Sequence, residues 1–216
     1  MTALSPETLL KAYAYGVFPM GEDRDDPSVY WVDPEFRGIL PLDKFHVPKR
    51  LARTVRSDKF RTTIDADFRG TIEACAEIKS GRLSTWINDD IIANYTALHD
   101  MGHAHSVETW RDGKIVGGLY GVSLGAAFFG ESMFSRETDA SKVALCRLVA
   151  QLIVGGYKLL DTQFITDHLT QFGAIEISRD TYQAILQNAV VQPAEFSSLP
   201  SGCSGSIIMQ SINQIS

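Results

Sequence analysis

The sequence is poor in the features that mark membrane, secreted and metal-bound proteins. No apolar run approaches the ~18 residues that a membrane helix needs. The opening Met1-Thr2-Ala3-Leu4 passes straight into a helical pattern. It has no basic region, apolar stretch and small-residue cleavage site in succession, so no signal peptide is expected and the cytoplasm is the default compartment. Cysteine is scarce, with only Cys75, Cys146 and Cys203, far apart and odd in number. No two have metal-ligand spacing, and an odd count suits a reducing compartment. Cys75 and Cys146 read as small buried apolar residues on helices. Internal repeats are absent as well.

The composition is otherwise ordinary for a globular protein, with 44% hydrophobic and 21% charged residues in 216. That length supports one good-sized core, or one core and a small appendage. A net charge of −6 argues against a chain coated in nucleic acid. The distribution is more telling than the sum. Lys44, Lys49, Arg50, Arg53, Arg56, Lys59 and Arg61 fall within eighteen residues in which Asp58 is the one acid. The chain is therefore one basic stretch on an acidic body. A solvated helix face is the plain account of these cations, and phosphate binding is the sharper one.

Local signals divide the chain. Ser5-Pro6-Glu7 starts a helix that ends at Gly16. Tyr30–Val32 and Gly38–Leu40 read as short strands around Asp33-Pro34, with an acidic loop over Gly21–Ser28 before them. Pro48 opens a helix with Leu51 and Val55 on one face and Lys49, Arg53 and Arg56 on another. Asp67 and Asn88 cap two further helices, with a loop at Gly81–Ser84 between them. A half-buried strand and the Asp112-Gly113 hairpin turn follow. Two strands, Ile115–Val122 and Ala126–Met133, precede a long helix starting at Asp139 or Ser141. Leu159–Gln163 is a strand, Thr166 and Ser178 cap helices, and Ile175–Ile177 is a strand between them. After Gln192 Pro, Ser and Gly dominate, so a poorly ordered tail with at most one docked segment is expected.

Residues 117–163 hold few polar groups among apolar strands. Glu131, Asp161 and Gln163 stand out there, because a carboxylate beside a buried strand is costly unless paired, hydrogen-bonded or used. His99, His103 and His105 cluster in sequence, but Gly102 and a strand start separate them. Helix-end capping is expected of them rather than metal binding.

Certain segments carry a resemblance. They are Tyr15–Pro19 (YGVFP), Trp31–Pro34 (WVDP), Thr85–Ile87 (TWI), His99–Ser106 (HDMGHAHS), Val116–Val122, Gly130–Arg136 (GESMFSR), Ala140–Lys142 and Asp161–His168. In this order they resemble the leucyl/phenylalanyl-tRNA–protein transferases over roughly residues 4–186. The resemblance implies a transferase that moves leucine or phenylalanine, and less well methionine, from aminoacyl-tRNA to an N-terminal arginine or lysine. The product is then a substrate of the bacterial N-end degradation pathway. It also implies an α/β fold: a small N-terminal domain over 1–33, and a GNAT-like catalytic domain over 34–191 with a mixed, largely antiparallel sheet flanked by helices. Residues 192–216 form the tail. No cofactor or metal is expected. The [Q/R]-x-x-G-x-[G/A] pyrophosphate loop of GNAT enzymes is missing after Met133, where two acids stand instead.

By resemblance Asp161 and Gln163 are the catalytic pair, and period-two geometry would place them on one strand face. The reaction is attack of a neutral amine on an already activated ester. Positioning alone contributes ~7–11 kcal/mol there, leaving proton removal and oxyanion stabilisation. Gln163 would orient the amine, Asp161 would polarise it and take up charge, and Glu131 would bind a positively charged amine. A neighbouring ribose hydroxyl would help to shuttle the proton. Met20, Trp86, Tyr95, Leu119, Phe128, Met133, Leu145 and Leu160 carry over as the pocket for the donor side chain. A narrow apolar channel accepts Leu, Phe and Met, unbranched at Cβ, and crowds Ile and Val. Many family members have tryptophan where this chain has Met20, and a softer side chain there widens the slot. Lys49, Arg50, Arg53 and Arg56 match the basic cluster that would grip the acceptor stem. Two alternatives stand beside this: a GNAT-like acyltransferase with another activated donor, and a non-catalytic tRNA-binding module.

Overall fold

The computed structural model describes residues 4–24, 28–78 and 84–214. The loops expected over Gly21–Ser28 and Gly81–Ser84 fall partly outside them. Helix α1 (Pro6–Ala14) begins where Ser5 accepts the Thr8 amide, with proline in the first turn. A two-stranded ribbon follows, β1 (Phe18–Gly21) against β2 (Val29–Val32). The remaining strands form one seven-stranded sheet: β3 (Phe36–Ile39), β4 (Arg61–Ile64), β5 (Ala104–Arg111), β6 (Lys114–Leu124), β7 (Ala127–Ser135), β8 (Leu159–Gln163) and β9 (Ile175–Ser178). Their spatial order is β4-β5-β6-β7-β8-β3-β9, and only β7 and β8 run parallel. The mixed, largely antiparallel sheet that the resemblance implies is present. The β5–β6 hairpin turns at Asp112 (φ 51°) and Gly113 (φ 73°), the left-handed pair that a two-residue turn requires.

Helices cover both faces. α2 (Lys49–Arg56), α5 (Ala140–Val154) and α8 (Gly205–Asn213) lie on one, and α1, α3 (Phe68–Ala76), α4 (Asp89–Asp100) and α7 (Arg179–Val190) on the other. α6 (Asp167–Thr170) is a single turn after β8. The alternation of the central strands explains the two cores: Leu119, Phe128 and Leu160 enter one, and Tyr120, Phe129 and Leu159 enter the other. Capping follows the expected residues at Asp67, Asn88 and Ser178. At α5 the residue before the helix is Asp139, at φ 70° and without a side-chain capping bond. Its carboxylate meets Arg50 (3.1 Å) and Lys142 (3.6 Å) instead.

Two features place the site. Pairing of β7 with β8 stops at Phe129 opposite Asp161, although β7 continues to Ser135 along β6. The sheet therefore forks between β7 and β8. Within β7, Gly130 faces Gly121 while Ser132 faces Tyr120. Glu131 is the extra residue of a β-bulge, a device that re-aims a side chain.

The tail is not loose. Phe196 is buried, stacked on His105 (4.0 Å between centroids) and Phe128 (5.4 Å). Arg147 and Gln151 of α5, both buried, bind the tail's carbonyls: Arg147 donates to Pro200 (3.0 Å) and Gln151 to Phe196. Ser204 then caps α8, whose Ile208, Met209 and Ile212 are buried. The serine- and glycine-rich composition hid an i, i+4 apolar stripe. Phe128, expected in the donor pocket, is buried by this arrangement and does not reach the cavity described below. Truncating Phe196→Ala should cost about 3–5 kcal/mol in chemical denaturation, whereas a loose tail would tolerate the change.

Candidate active site

A cavity of about 600 Å³ opens at the fork. Met20, Trp86, Leu119, Met133, Leu145 and Leu160, six of the expected pocket residues, line it. So do Phe134, Leu148, Phe164, Leu169 and His168. Among its lining residues Glu131 is the one carboxylate, and Gln163 stands beside it. No lysine or arginine lines it. A largely apolar slot with one carboxylate and one amide in its wall suits a molecule with a greasy side chain next to an amine.

The carboxylate is held from three directions. Glu131 Oε1 accepts from the Tyr13 hydroxyl (2.7 Å) and from Gln163 Nε2 (3.0 Å), and Oε2 accepts from the Tyr95 hydroxyl (3.2 Å). Tyr13 and Tyr95 also touch through their hydroxyls at 2.5 Å. Tyr95 therefore sits behind the carboxylate, fully buried, rather than in the cavity wall. Burial is the main reason that the Glu131 carboxyl is pushed up to about 7; the hydrogen bonds from Tyr13 and Gln163 oppose the shift and the Asp161 charge adds to it. Burial, and then the carboxylate nearby, pushes both tyrosines well above their ordinary range, so they stay protonated donors.

Asp161 does not line the cavity. It is fully buried and its oxygens are filled. Arg37 Nε reaches both oxygens (3.0 and 3.1 Å), and Arg37 Nη2 reaches Oδ2 at 2.6 Å. The Tyr182 hydroxyl donates to Oδ2 (2.7 Å), and the Gln163 backbone amide donates to Oδ1 (2.7 Å). The expectation that Asp161 and Gln163 share one strand face is not met at the cavity. Gln163 has φ 63°, outside the extended region, so the pleat breaks there and its amide turns to Glu131. A non-glycine residue at that angle is strained, and the bond from its N–H to Asp161 holds it. Of the two carboxylates, Glu131 faces the cavity and Asp161 does not.

Arg37 binds the N-terminal segment to the sheet. Its Nη1 donates to the Gly16 carbonyl (2.8 Å), and its guanidinium lies 4.4 Å from the Phe18 ring centroid and 4.6 Å from that of Tyr182. Burial works to lower its pKa, but the Asp161 charge and hydrogen bonds leave it raised overall. Burial and then Asp161 likewise raise Tyr182. Arg37, Tyr13 and Tyr182 were missed in the sequence. A charged residue inside the short run Phe36-Arg37-Gly38-Ile39 was a usable signal, whereas the two tyrosines look like ordinary stripe positions on helices.

The histidines are engaged elsewhere. His99 Nδ1 lies 2.8 Å from the Ala104 carbonyl, and His105 Nδ1 lies 2.8 Å from Asp65. Among the described residues no three His, Cys, Asp or Glu side chains group as a metal site would need. On α2, Lys49, Arg50, Arg53 and Arg56 are all exposed. Arg50 pairs with Asp139, while Lys49, Arg53 and Arg56 form no ion pair with a described residue.

Comparison with known proteins agrees with this architecture. The leucyl/phenylalanyl-tRNA protein transferase family profile matches residues 39–187, and the profile of that family's N-terminal domain matches residues 2–35. A protein of Rhodopseudomonas palustris (strain HaA2) named leucyl/phenylalanyl-tRNA–protein transferase is 59% identical over 197 residues, covering 91% of this chain and 88% of its own. One of the same name from Maricaulis maris (strain MCS10) is 55% identical over 216 residues, covering all of both chains. Among solved structures, FemX superposes with a TM-score of 0.53 at 13% identity, over 84% of this chain and 71% of its own, which shows a shared fold. With two family profiles in register and such relatives along its full length, the chain belongs to the leucyl/phenylalanyl-tRNA–protein transferase family and is an aminoacyltransferase acting from aminoacyl-tRNA onto protein.

Proposed function

We propose that the cavity receives the side chain of leucine or phenylalanine, and less well methionine, carried on tRNA. The acceptor is the α-amine of an N-terminal arginine or lysine, the setting is the cytoplasm, and the product carries a destabilising N-terminus. The observation that supports this best is the largely apolar slot that carries the hydrogen-bonded Glu131 and Gln163 in its wall.

Chemistry at that end needs little beyond positioning. The amine nitrogen attacks the ester carbonyl, a C–N bond forms, and the bond to the ribose oxygen breaks. One proton must pass from the amine to the departing ribose oxygen, and the neighbouring hydroxyl is placed to relay it. Glu131, near pH 7 in its affinity for a proton, matches an α-amine of ordinary pKa ~7.7–8.0 within about a unit. As a carboxylate it binds the amine as an ammonium and takes one proton from it, which frees the nitrogen lone pair for attack; the second proton is the one passed to the departing ribose oxygen. Gln163 aligns the amine through its amide. Asp161 is a positioning residue that acts through Arg37 and the Gln163 backbone.

Three outcomes test these roles. With charged tRNAs and a Lys- or Arg-starting acceptor, Ile should be transferred about 10–200-fold less well than Leu; parity would dismiss the narrow slot. The kcat/KM should rise with pH through about 7, the carboxylate being the active form. Glu131→Gln should lose that inflection with a drop of about 10²–10⁴, while a profile identical to the parent's would remove Glu131 from the chemistry. Asp161→Ala leaves Arg37 buried without its counter-charge. It should cost about 3–5 kcal/mol in stability and lower turnover more than tRNA affinity. A stable variant with normal turnover would refute the positioning role.

A further inference from the structure

The family profile ends at residue 187, and α8 lies beyond it. Between α8 and α2 runs a groove of about 640 Å³. His46, Lys49, Arg53 and Arg56 form one wall and Asn213 stands on the other, over a floor that includes Met209. A second hollow of about 410 Å³ continues on the far side of Arg56 and meets Ser206, Gln210 and Gln214. No carboxylate lines either one. This is unusual on a chain with 26 acids, and it has a source in the sequence: residues 196–216 contain neither acid nor base.

The groove is held rigidly between its two helices. Gly205 sits directly on the last turn of α2, where a Cβ would come 1.8 Å from the Val55 carbonyl oxygen. Its amide donates to Asp58 Oδ1 at 2.6 Å. Only glycine permits that approach. At the other end, Phe45 of the groove floor stacks on Phe172 (5.5 Å), and the His168 ring meets Phe172 at 5.5 Å. His168 also lines the donor cavity, so one series of ring contacts links the two sites through the core.

We propose that this groove and the hollow beyond Arg56 bind phosphates of the donor's acceptor stem, with the α8 amides of Asn213 and Gln210 donating beside the α2 cations. The inference rests on α2 facing the donor RNA and adds α8 as the second wall. Unpaired cations and neutral amides are the groups that bind RNA backbone, and an acid-free surface leaves the phosphates unrepelled. An acidic protein partner would suit the cations equally, but the family's donor is itself a polyanionic RNA that must dock on this enzyme.

The test introduces charge at the two exposed α8 positions. Binding of leucyl-tRNA should weaken about tenfold at low salt in Gln210→Glu/Asn213→Glu, with the gap closing as salt rises. Asn213→Lys should tighten binding and steepen the salt slope by about one. The loss in kcat/KM should be larger for the whole tRNA than for leucyl-adenosine, which has no stem to meet the groove. If both α8 variants bind tRNA like the parent while Lys49→Ala/Arg53→Ala/Arg56→Ala weakens it, α8 is packing alone and the inference fails. If the α2 variant also binds normally, the assignment of α2 to the RNA fails with it.

Discussion

The site depends on one buried ion pair. Arg37 and Asp161 are almost entirely removed from water. Such a pair persists only when each remaining donor and acceptor finds a partner. Here the partners are structural joints: the Gly16 carbonyl at the end of α1, the Tyr182 hydroxyl on α7, and the Gln163 amide at the end of β8. Two aromatic faces enclose the guanidinium. Satisfying the pair therefore fixes four elements relative to one another, and it holds Gln163 at a backbone angle that a free chain would leave.

The fork gives that rigidity a use. If β7 and β8 paired to their ends, the space at Glu131 would be closed by the ladder. The break after Phe129 and the bulge at Glu131 instead leave a wedge between two strands. Apolar side chains make up most of its walls, with Glu131 and Gln163 among them. A carboxyl poised near neutrality follows from that placement, since burial raises its pKa while three donors prevent it from rising further.

Much of the fold was legible because its signals are local. Ser5, Asn88 and Ser178 each accept the backbone amide three residues on, and Asp112-Gly113 turns as such a pair must. The site was legible in membership more than in arrangement. Glu131, Gln163 and six apolar residues meet at one cavity, but Phe128 and Tyr95 lie behind its wall and Asp161 faces the other way. The reason is that period-two reasoning assumes unbroken strands. A bulge and a left-handed residue, neither marked by glycine at positions 131 and 163, break that assumption where the chemistry sits. The docked tail was obscured for a related reason, since its four buried apolar residues are spread among serines and glycines.

The Tyr13–Glu131 bond spans 118 positions of the chain and the Arg37–Asp161 contact spans 124. Long-range closure of this kind is slow to form. During synthesis the first helix must wait, with its tyrosine unmatched, until the ribosome has delivered residues well beyond 163. The site is therefore put together late, from pieces made at opposite ends of translation.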